Sequence, residues 1–334
     1  MAWERKVSRT LRVRNELKSG VLAQLISVVA DMGGTVGDID LLTETSRSVV
    51  RDIVVYGDDA GHVERIVQAV EALPGTRLMQ VRDEVLELHQ KGKIAIRSRV
   101  PLDSMATLRR VYTPGVAEVC LKIAEDPAMA RLYTSISHMV AIVTDGTAVL
   151  GLGDIGALAG MPVMEGKAML MESLVGLSGI PILLNTREPD EIVATVAAIA
   201  PTFSAIQLED ISAPRCFEIE QRLQARLDIP VMHDDQHGTA VVATAALTNA
   251  CRQAGIDMRR ARIGQVGLGA AGYAIARMLM QISGNPVLGA DLSPEAVQRL
   301  EAAGGQGASL GEIMSNFLGT ASAGSFRSSH TAWM

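Results

Sequence analysis

Two short apolar runs, Phe203 to Leu208 and Ile229 to Met232, each lead straight into acid: Glu209-Asp210 after the first, His233-Asp234-Asp235 after the second. Between them Cys216, Ile219, Leu223 and Leu227 fall on one face of a helix. A strand-helix-strand unit of this length is a parallel crossover, so both acidic groups leave the sheet at the same carboxyl edge. Ligand sites of open α/β sheets form at that edge. Carboxylates gathered there repel one another strongly unless a cation sits among them. Hard oxygen ligands without a Cys or His cluster favour Mg²⁺ or Mn²⁺ over Zn²⁺. One acidic pair alone would read as a cap on the helix that follows; two pairs at one edge shift the reading toward metal.

The same alternation extends upstream. Met139 to Thr144 and Ile180 to Leu184 are further short apolar runs separated by helical segments, the pattern of a parallel sheet covered on both faces. The stretch Ile192 to Leu208 carries no charge but is broken by Pro201, so it fits helix, turn and strand rather than a membrane span. Residues 7–86 read differently. A strand near Thr10 to Arg14 precedes a helix from Gly20 with Leu22, Leu25, Val29 and Met32 on one face, stopped by Gly33-Gly34. Strands at Gly37 to Thr43 and Ser48 to Tyr56 follow, then a helix with Val63, Ile66, Val67, Val70 and Leu73, and a strand from Arg77 to Arg82. The order is βαββαβ, with a charged helical connector from Asp83 to Lys93.

Gly267-Leu268-Gly269-Ala270-Ala271-Gly272 follows an expected strand at Arg262 to Val266 and opens a helix carrying Ile275, Met278 and Leu279. Asp291 ends the next strand, about 20 residues on, where an acid meets ribose hydroxyls in dinucleotide-binding folds. An acid there disfavours a 2′-phosphate, which favours NAD⁺ over NADP⁺. Gly151 to Gly156 also fits G-x-G-x-x-G, but Pro162 follows closely and no second strand ends in an acid, so it belongs to the substrate-side sheet. With 31 basic against 37 acidic residues and 3% aromatics, nucleic acid is a poor partner. Cys120, Cys216 and Cys251 are scattered and odd in number, fitting reduced thiols. Met1 to Arg14 lacks the apolar stretch of a secretory signal. A cytoplasmic protein without a membrane segment is expected.

Several motifs in order carry a family resemblance: Tyr112-Thr113-Pro114-Gly115-Val116-Ala117, Thr144-Asp145-Gly146-Thr147, Gly151-Leu152-Gly153-Asp154-Ile155-Gly156, Met161 to Ala168, Glu209-Asp210 and His233 to Ala240. From about residue 91 to about 314 the chain resembles the bacterial malic enzymes. The βαββαβ unit, with Ser19-Gly20-Val21 opening its first helix, resembles the ACT domain, a ferredoxin-like module. That likeness leaves two roles open, a small-molecule effector site or a structural, dimerising part. The resemblance implies an α/β chain with an ACT-like regulatory unit at 1–90 and a parallel-sheet substrate and metal domain at 91–236. It further implies a partial Rossmann-type NAD domain at 237–314, an atypical tail at 315–334, and a homodimer.

It also implies oxidative decarboxylation of L-malate to pyruvate and CO₂ with a divalent metal and NAD⁺ or NADP⁺. Glu209, Asp210 and Asp235 match the metal ligands. Lys167 matches the base that takes the C2 hydroxyl proton, and beside a cation it is expected to lose its own proton near neutral pH. Asp234 matches a carboxylate that holds Lys167, and Tyr112 the acid that protonates C3. Thr113 is expected to cap, and Pro114 to open, a helix that buries Val116, Val119, Cys120 and Ile123. Gly267, Gly269, Ala270, Ala271, Gly272 and Asp291 match the cofactor-binding positions. After Met314 the Ser/Gly/Ala-rich sequence resembles no part of the family and reads as a truncation, with weak or absent NAD-dependent turnover expected. Two alternatives stand beside this: a non-catalytic effector-binding, dimerising protein, and a metal-dependent oxaloacetate decarboxylase.

Overall fold

The computed structural model describes residues 7–318 and 331–333, with the backbone alone at 316–318 and 331–333. Two compact units divide it, residues 1–93 and 94–334, so the first boundary lies three residues beyond the expected 90. In the first unit β1 (Val7–Glu16), α1 (Val21–Asp31), β2 (Thr35–Glu44), β3 (Ser48–Gly57), α2 (Ala60–Glu71) and β4 (Thr76–Arg82) follow in the expected βαββαβ order, and α3 (Glu84–His89) closes the unit. The sheet is antiparallel with strand order β2-β3-β1-β4. Leu11 and Val13 of β1 and Ile53 and Val55 of β3 pack with Leu25, Val29, Ile66 and Val70 from the two helices to form its core.

The face of α1 departs from expectation only at its last position, since Leu22, Leu25 and Val29 all pack in the core of this unit. Val21, Leu25 and Val29 are buried, whereas Met32 is exposed. The helix ends at Asp31, Met32 is its C-cap, and Gly33 turns the chain away at φ +80°. A C-cap residue no longer follows the helical spacing, so the apolar face of α1 ends at Val29.

The second unit begins with α4 (Met105–Val111), α5 (Val116–Glu125) and α6 (Met129–Tyr133), none of which buries a residue. The helix expected to bury Val116, Val119, Cys120 and Ile123 does not: the first, second and fourth are half-buried and Cys120 is exposed. Nor does Thr113 cap it, for the N-cap is Gly115 and no side chain bonds there. An amphipathic stripe records a preference for burial, not what is available to cover it.

A parallel sheet follows, in strand order β6-β5-β7-β8. It is built from β5 (Met139–Thr144), α7 (Ala157–Val175), β6 (Ser178–Leu183), α8 (Pro189–Ile199), β7 (Ala205–Leu208), α9 (Arg215–Arg226) and β8 (Val231–His233). Ala141, Val143, Ile206 and Leu208 pack against Ile192, Val196, Ile219 and Leu223 of α8 and α9. The other face of β5 meets Met164 and Ala168 of α7 through Ile142. Leu227 falls past the end of α9, where the chain is already extended.

Next come α10 (Asp234–Gln253), β9 (Arg262–Val266), α11 (Ala270–Ser283), β10 (Leu288–Ala290), α12 (Pro294–Ala302), β11 (Gln306–Gly307), α13 (Leu310–Leu318) and β12 (Thr331–Trp333). Their strands form a parallel sheet in order β11-β10-β9-β12. Ala240, Leu247 and Cys251 of α10 join Ile263, Leu279 and Leu300 in one core. The border expected at 236/237 therefore falls inside α10. The border at 314/315 likewise falls inside α13, and 331–333 pairs with β9, so part of the stretch read as a tail belongs to the sheet. The rest of that stretch, 319–330 and 334, lies outside the described residues. No helix among those described is long and apolar enough to cross a membrane.

Candidate functional site

Strands β7 and β8 pair in parallel, Ile206 with Val231 and Leu208 with His233, so the acids after each emerge together. Glu209 extends the ladder, its N–H donating to Val143 O at 2.9 Å. Asp210 then turns into the left-handed region at φ +54°, a conformation uncommon for a residue with a Cβ. Its backbone is held on both sides: the N–H donates to Asp235 Oδ2 at 2.9 Å, and the carbonyl accepts from Ala148 N–H at 2.9 Å. Asp234 and Asp235 form the first turn of α10, where the helix dipole favours negative charge.

Ligand oxygens of Glu209, Asp210 and Asp235 all lie within 4.8 Å of one another. Glu209 and Asp210 are each only 2% exposed, and Asp210 Oδ2 is buried with no hydrogen-bond partner. Burial, reinforced by neighbouring carboxylates, pushes Glu209 up to about 7 and Asp210 up to about 6. Three converging carboxylates, one with an unsatisfied oxygen, fit a hard divalent cation, which would relieve the repulsion among them.

Lys167 of α7 reaches this group. Its ammonium donates to Asp234 Oδ2 and lies 3.1 Å from Glu209 Oε1. Burial pulls the lysine down, but the Asp234 hydrogen bond and the charges of Glu209 and Asp234 more than offset it, and its pKa is raised. With only protein groups around it, the carboxylates hold its proton. Tyr112 stands apart from the cluster's bonding. It is the C-cap of α4 and 66% exposed, and among the described residues no hydrogen bond or ion pair joins its side chain to Lys167.

The sequence reading missed two sets of residues. Arg215, at the start of α9, bonds Thr147 Oγ1 and Ser212 Oγ at 3.0 Å and lies 3.1 Å from the buried Asp145, tying the β5 turn to the β7 edge. Glu220, buried on α9, accepts from the backbone N–H of His233 at 2.8 Å and from Gln236 and His237. The signal was present: an acid one helical turn from both Cys216 and Leu223 interrupts the apolar face. His233 is fully buried, with Nε2 3.4 Å from Asp235 Oδ2, and burial lowers its pKa.

At the second parallel sheet, β9 leads into the turn Gly267 to Gly269 and then α11. Gly267 adopts φ +85°, and a Cβ on Gly272 would meet Gly267 O at 1.9 Å. Both positions therefore need glycine, and Gly269 faces open space, as a loop that admits a pyrophosphate requires. Ala270 and Ala271 start the helix. Asp291 follows β10 and accepts from Ser293 N–H at 2.8 Å and Leu268 N–H at 2.6 Å, bonds that lower its pKa.

Fold and site together define an α/β protein with converging carboxylates at the edge of one parallel sheet and a glycine-rich strand-to-helix turn in a second. The malic enzyme N-terminal domain matches residues 91–189 and 186–224. The NAD-dependent malic enzyme 1 of Bacillus subtilis (strain 168) is 52% identical over 308 residues, covering 92% of this chain and 70% of the relative. The NAD-dependent malic enzyme of Geobacillus stearothermophilus is 44% identical, covering 84% of this chain and 59% of that one. The crystal structure of NAD-dependent malic enzyme from Thermotoga maritima superposes with a TM-score of 0.63 at 40% identity, covering 67% of this chain and 64% of that one. The chain belongs to the malic enzyme family.

Proposed function

We propose that this chain catalyses the oxidative decarboxylation of L-malate to pyruvate and CO₂, with Mg²⁺ or Mn²⁺ and with NAD⁺ rather than NADP⁺. The observation that carries the reading is the Lys167 ammonium set between Asp234 and Glu209, the latter converging with buried Asp210 and half-buried Asp235. Glu209, Asp210 and Asp235 would hold the cation. When bound, it supplies electrophilic polarisation of substrate oxygens and offsets the negative charge that otherwise retains the Lys167 proton. The glycine loop and Asp291 would hold NAD⁺, which supplies the hydride acceptor.

Within this reading Lys167 takes the C2 hydroxyl proton, and Asp234 fixes the direction in which its Nζ points. The assignment of Tyr112 as proton donor to C3 rests on the family resemblance alone. The βαββαβ order and the sheet order β2-β3-β1-β4 support a ferredoxin-like, ACT-like unit, with a small-molecule effector site and a structural, dimerising role as its two readings. Half-buried Val116, Val119 and Ile123, on a helix that buries nothing, support a homodimer. The composition supports a cytoplasmic protein.

The test is pyruvate formation from L-malate with Mn²⁺ and NAD⁺, run beside pyruvate formation from oxaloacetate with Mn²⁺ alone. Product in both is expected, with the NAD⁺-dependent turnover of L-malate the weaker of the two. Product from oxaloacetate alone would reduce the function to a metal-dependent decarboxylase, and none in either would overturn the enzymatic reading.

A further inference from the structure

We propose that Glu220 is a positioning residue of the metal centre: from α9 it fixes the first turn of α10, and so the placement of Asp234 and Asp235. The inference rests on the metal reading above. Glu220 is 6% exposed and sits on the same helix as the fully buried Cys216, Ile219 and Leu223. A carboxylate there is costly unless its oxygens are satisfied, and an apolar side chain of similar volume would suit the core better. Its oxygens are spent on one short segment. Oε1 accepts from His233 N–H at 2.8 Å, Oε2 from Gln236 Nε2 at 3.2 Å, and His237 Nε2 lies 2.8 Å from Oε1 and 3.0 Å from Oε2.

Those three donors bracket Asp234 and Asp235 in sequence. The N-cap of α10 is His233, and no side chain of its own segment caps the helix. Glu220 binds the backbone N–H of that N-cap residue from the neighbouring helix, while Gln236 and His237 anchor the turn that follows. Three bonds to one rigid helix leave the intervening acids little freedom to rotate away from Glu209 and Asp210. Partners of this kind, one bond removed from a metal ligand, orient the ligand and commonly change affinity 10–100-fold when lost.

The test is Mn²⁺ binding by the full chain, read as free Mn²⁺ by electron paramagnetic resonance, for wild type, Glu220→Gln and Ile219→Val, with thermal unfolding measured on each. Ile219→Val is the structural control, since it thins the same helix face without touching the segment 233–237. The expected result is a dissociation constant raised roughly tenfold or more in Glu220→Gln and unchanged in Ile219→Val. A folded Glu220→Gln that binds Mn²⁺ like wild type overturns the proposal. So does an Ile219→Val chain weakened as much as Glu220→Gln, because general stability would then explain both. Should Glu220→Gln fail to fold, His237→Leu against His237→Gln decides, on a side chain 39% exposed. Weaker binding with Leu and recovery with Gln, which retains a donor, supports the tether; equal binding overturns it. A wild-type chain that binds no Mn²⁺ overturns the metal reading itself, and this inference with it.

Discussion

Lys167 and Asp234 stand 67 residues apart in the chain, yet the lysine ammonium donates directly to the aspartate carboxylate. One comes from α7, on one face of the parallel sheet, and the other from the first residue of α10, beyond the edge of β8. Because Asp234 is not among the three converging ligands, its role separates from metal binding. Asp234→Asn should lower pyruvate formation from malate by about 10²-fold or more, the range for a positioned proton-transfer group, while Mn²⁺ affinity stays within a few-fold of wild type. Steady-state kinetics beside a Mn²⁺ titration checks this; unchanged turnover would remove Asp234 from the mechanism.

Metal removal should be visible in stability. A cation that binds only the folded chain adds about 2.7 kcal/mol at a concentration 100 times its dissociation constant. For a unit of this size that corresponds to a rise of roughly 5–10 °C in Tm. Calorimetry in EDTA and in Mn²⁺ measures the difference, and Asp210→Asn should abolish most of it. A Tm indifferent to Mn²⁺ in the wild type would count against the three carboxylates as a metal centre.

The part of the site legible in the sequence was the part written in short spacing. Glu209-Asp210 and Asp234-Asp235 each sit at a strand end, and the parallel crossover rule brings two strand ends to one edge without knowledge of any contact. The glycine loop was legible for the same reason, since its turn, helix start and acid form one local unit. What failed needed knowledge of the surroundings. The stripe Val116, Val119, Cys120 and Ile123 has helical spacing, but the described residues cover it only in part. The borders at 236 and 314 were drawn where motifs end, whereas α10 and α13 continue through them as hydrogen-bonded helices.

Gly272 offers a test of the nucleotide loop that leaves the metal centre untouched. A Cβ at this position would lie 1.9 Å from the Gly267 carbonyl oxygen, a backbone atom that no change of rotamer can move. Gly272→Ala must therefore displace the Gly267 to Gly269 turn from the start of α11. Such overpacking costs about 1–3 kcal/mol, so NAD⁺ affinity should fall roughly tenfold or more with the Mn²⁺-dependent rise in Tm retained. Fluorescence titration with NADH and a parallel thermal shift give both readings. Wild-type affinity in Gly272→Ala would show that this loop does not carry the cofactor.

The first unit should carry its own acid sensitivity. Asp52, 7% exposed on β3, accepts from Arg12 Nε and Nη2 at 2.8 Å and from Arg82 Nη2 at 2.7 Å. Arg12 is its register partner on β1, and Arg82 closes the group from β4. The Arg12 hydrogen bonds, helped by the charges of both arginines and opposed by burial, hold the Asp52 carboxyl below its ordinary value. A carboxylate depressed in the folded state contributes stability that is complete above its unfolded pKa of about 3.9 and disappears as pH falls through the lower folded value. Urea unfolding followed by pulsed deuterium labelling of β1 and β3 should show a midpoint that holds steady from neutrality to about pH 5, then drops below about pH 4. In Asp52→Asn the midpoint should be lower at neutral pH and its acid slope shallower, because the titrating group is gone. Equal acid slopes in the two proteins would assign the acid sensitivity of this sheet to other carboxylates.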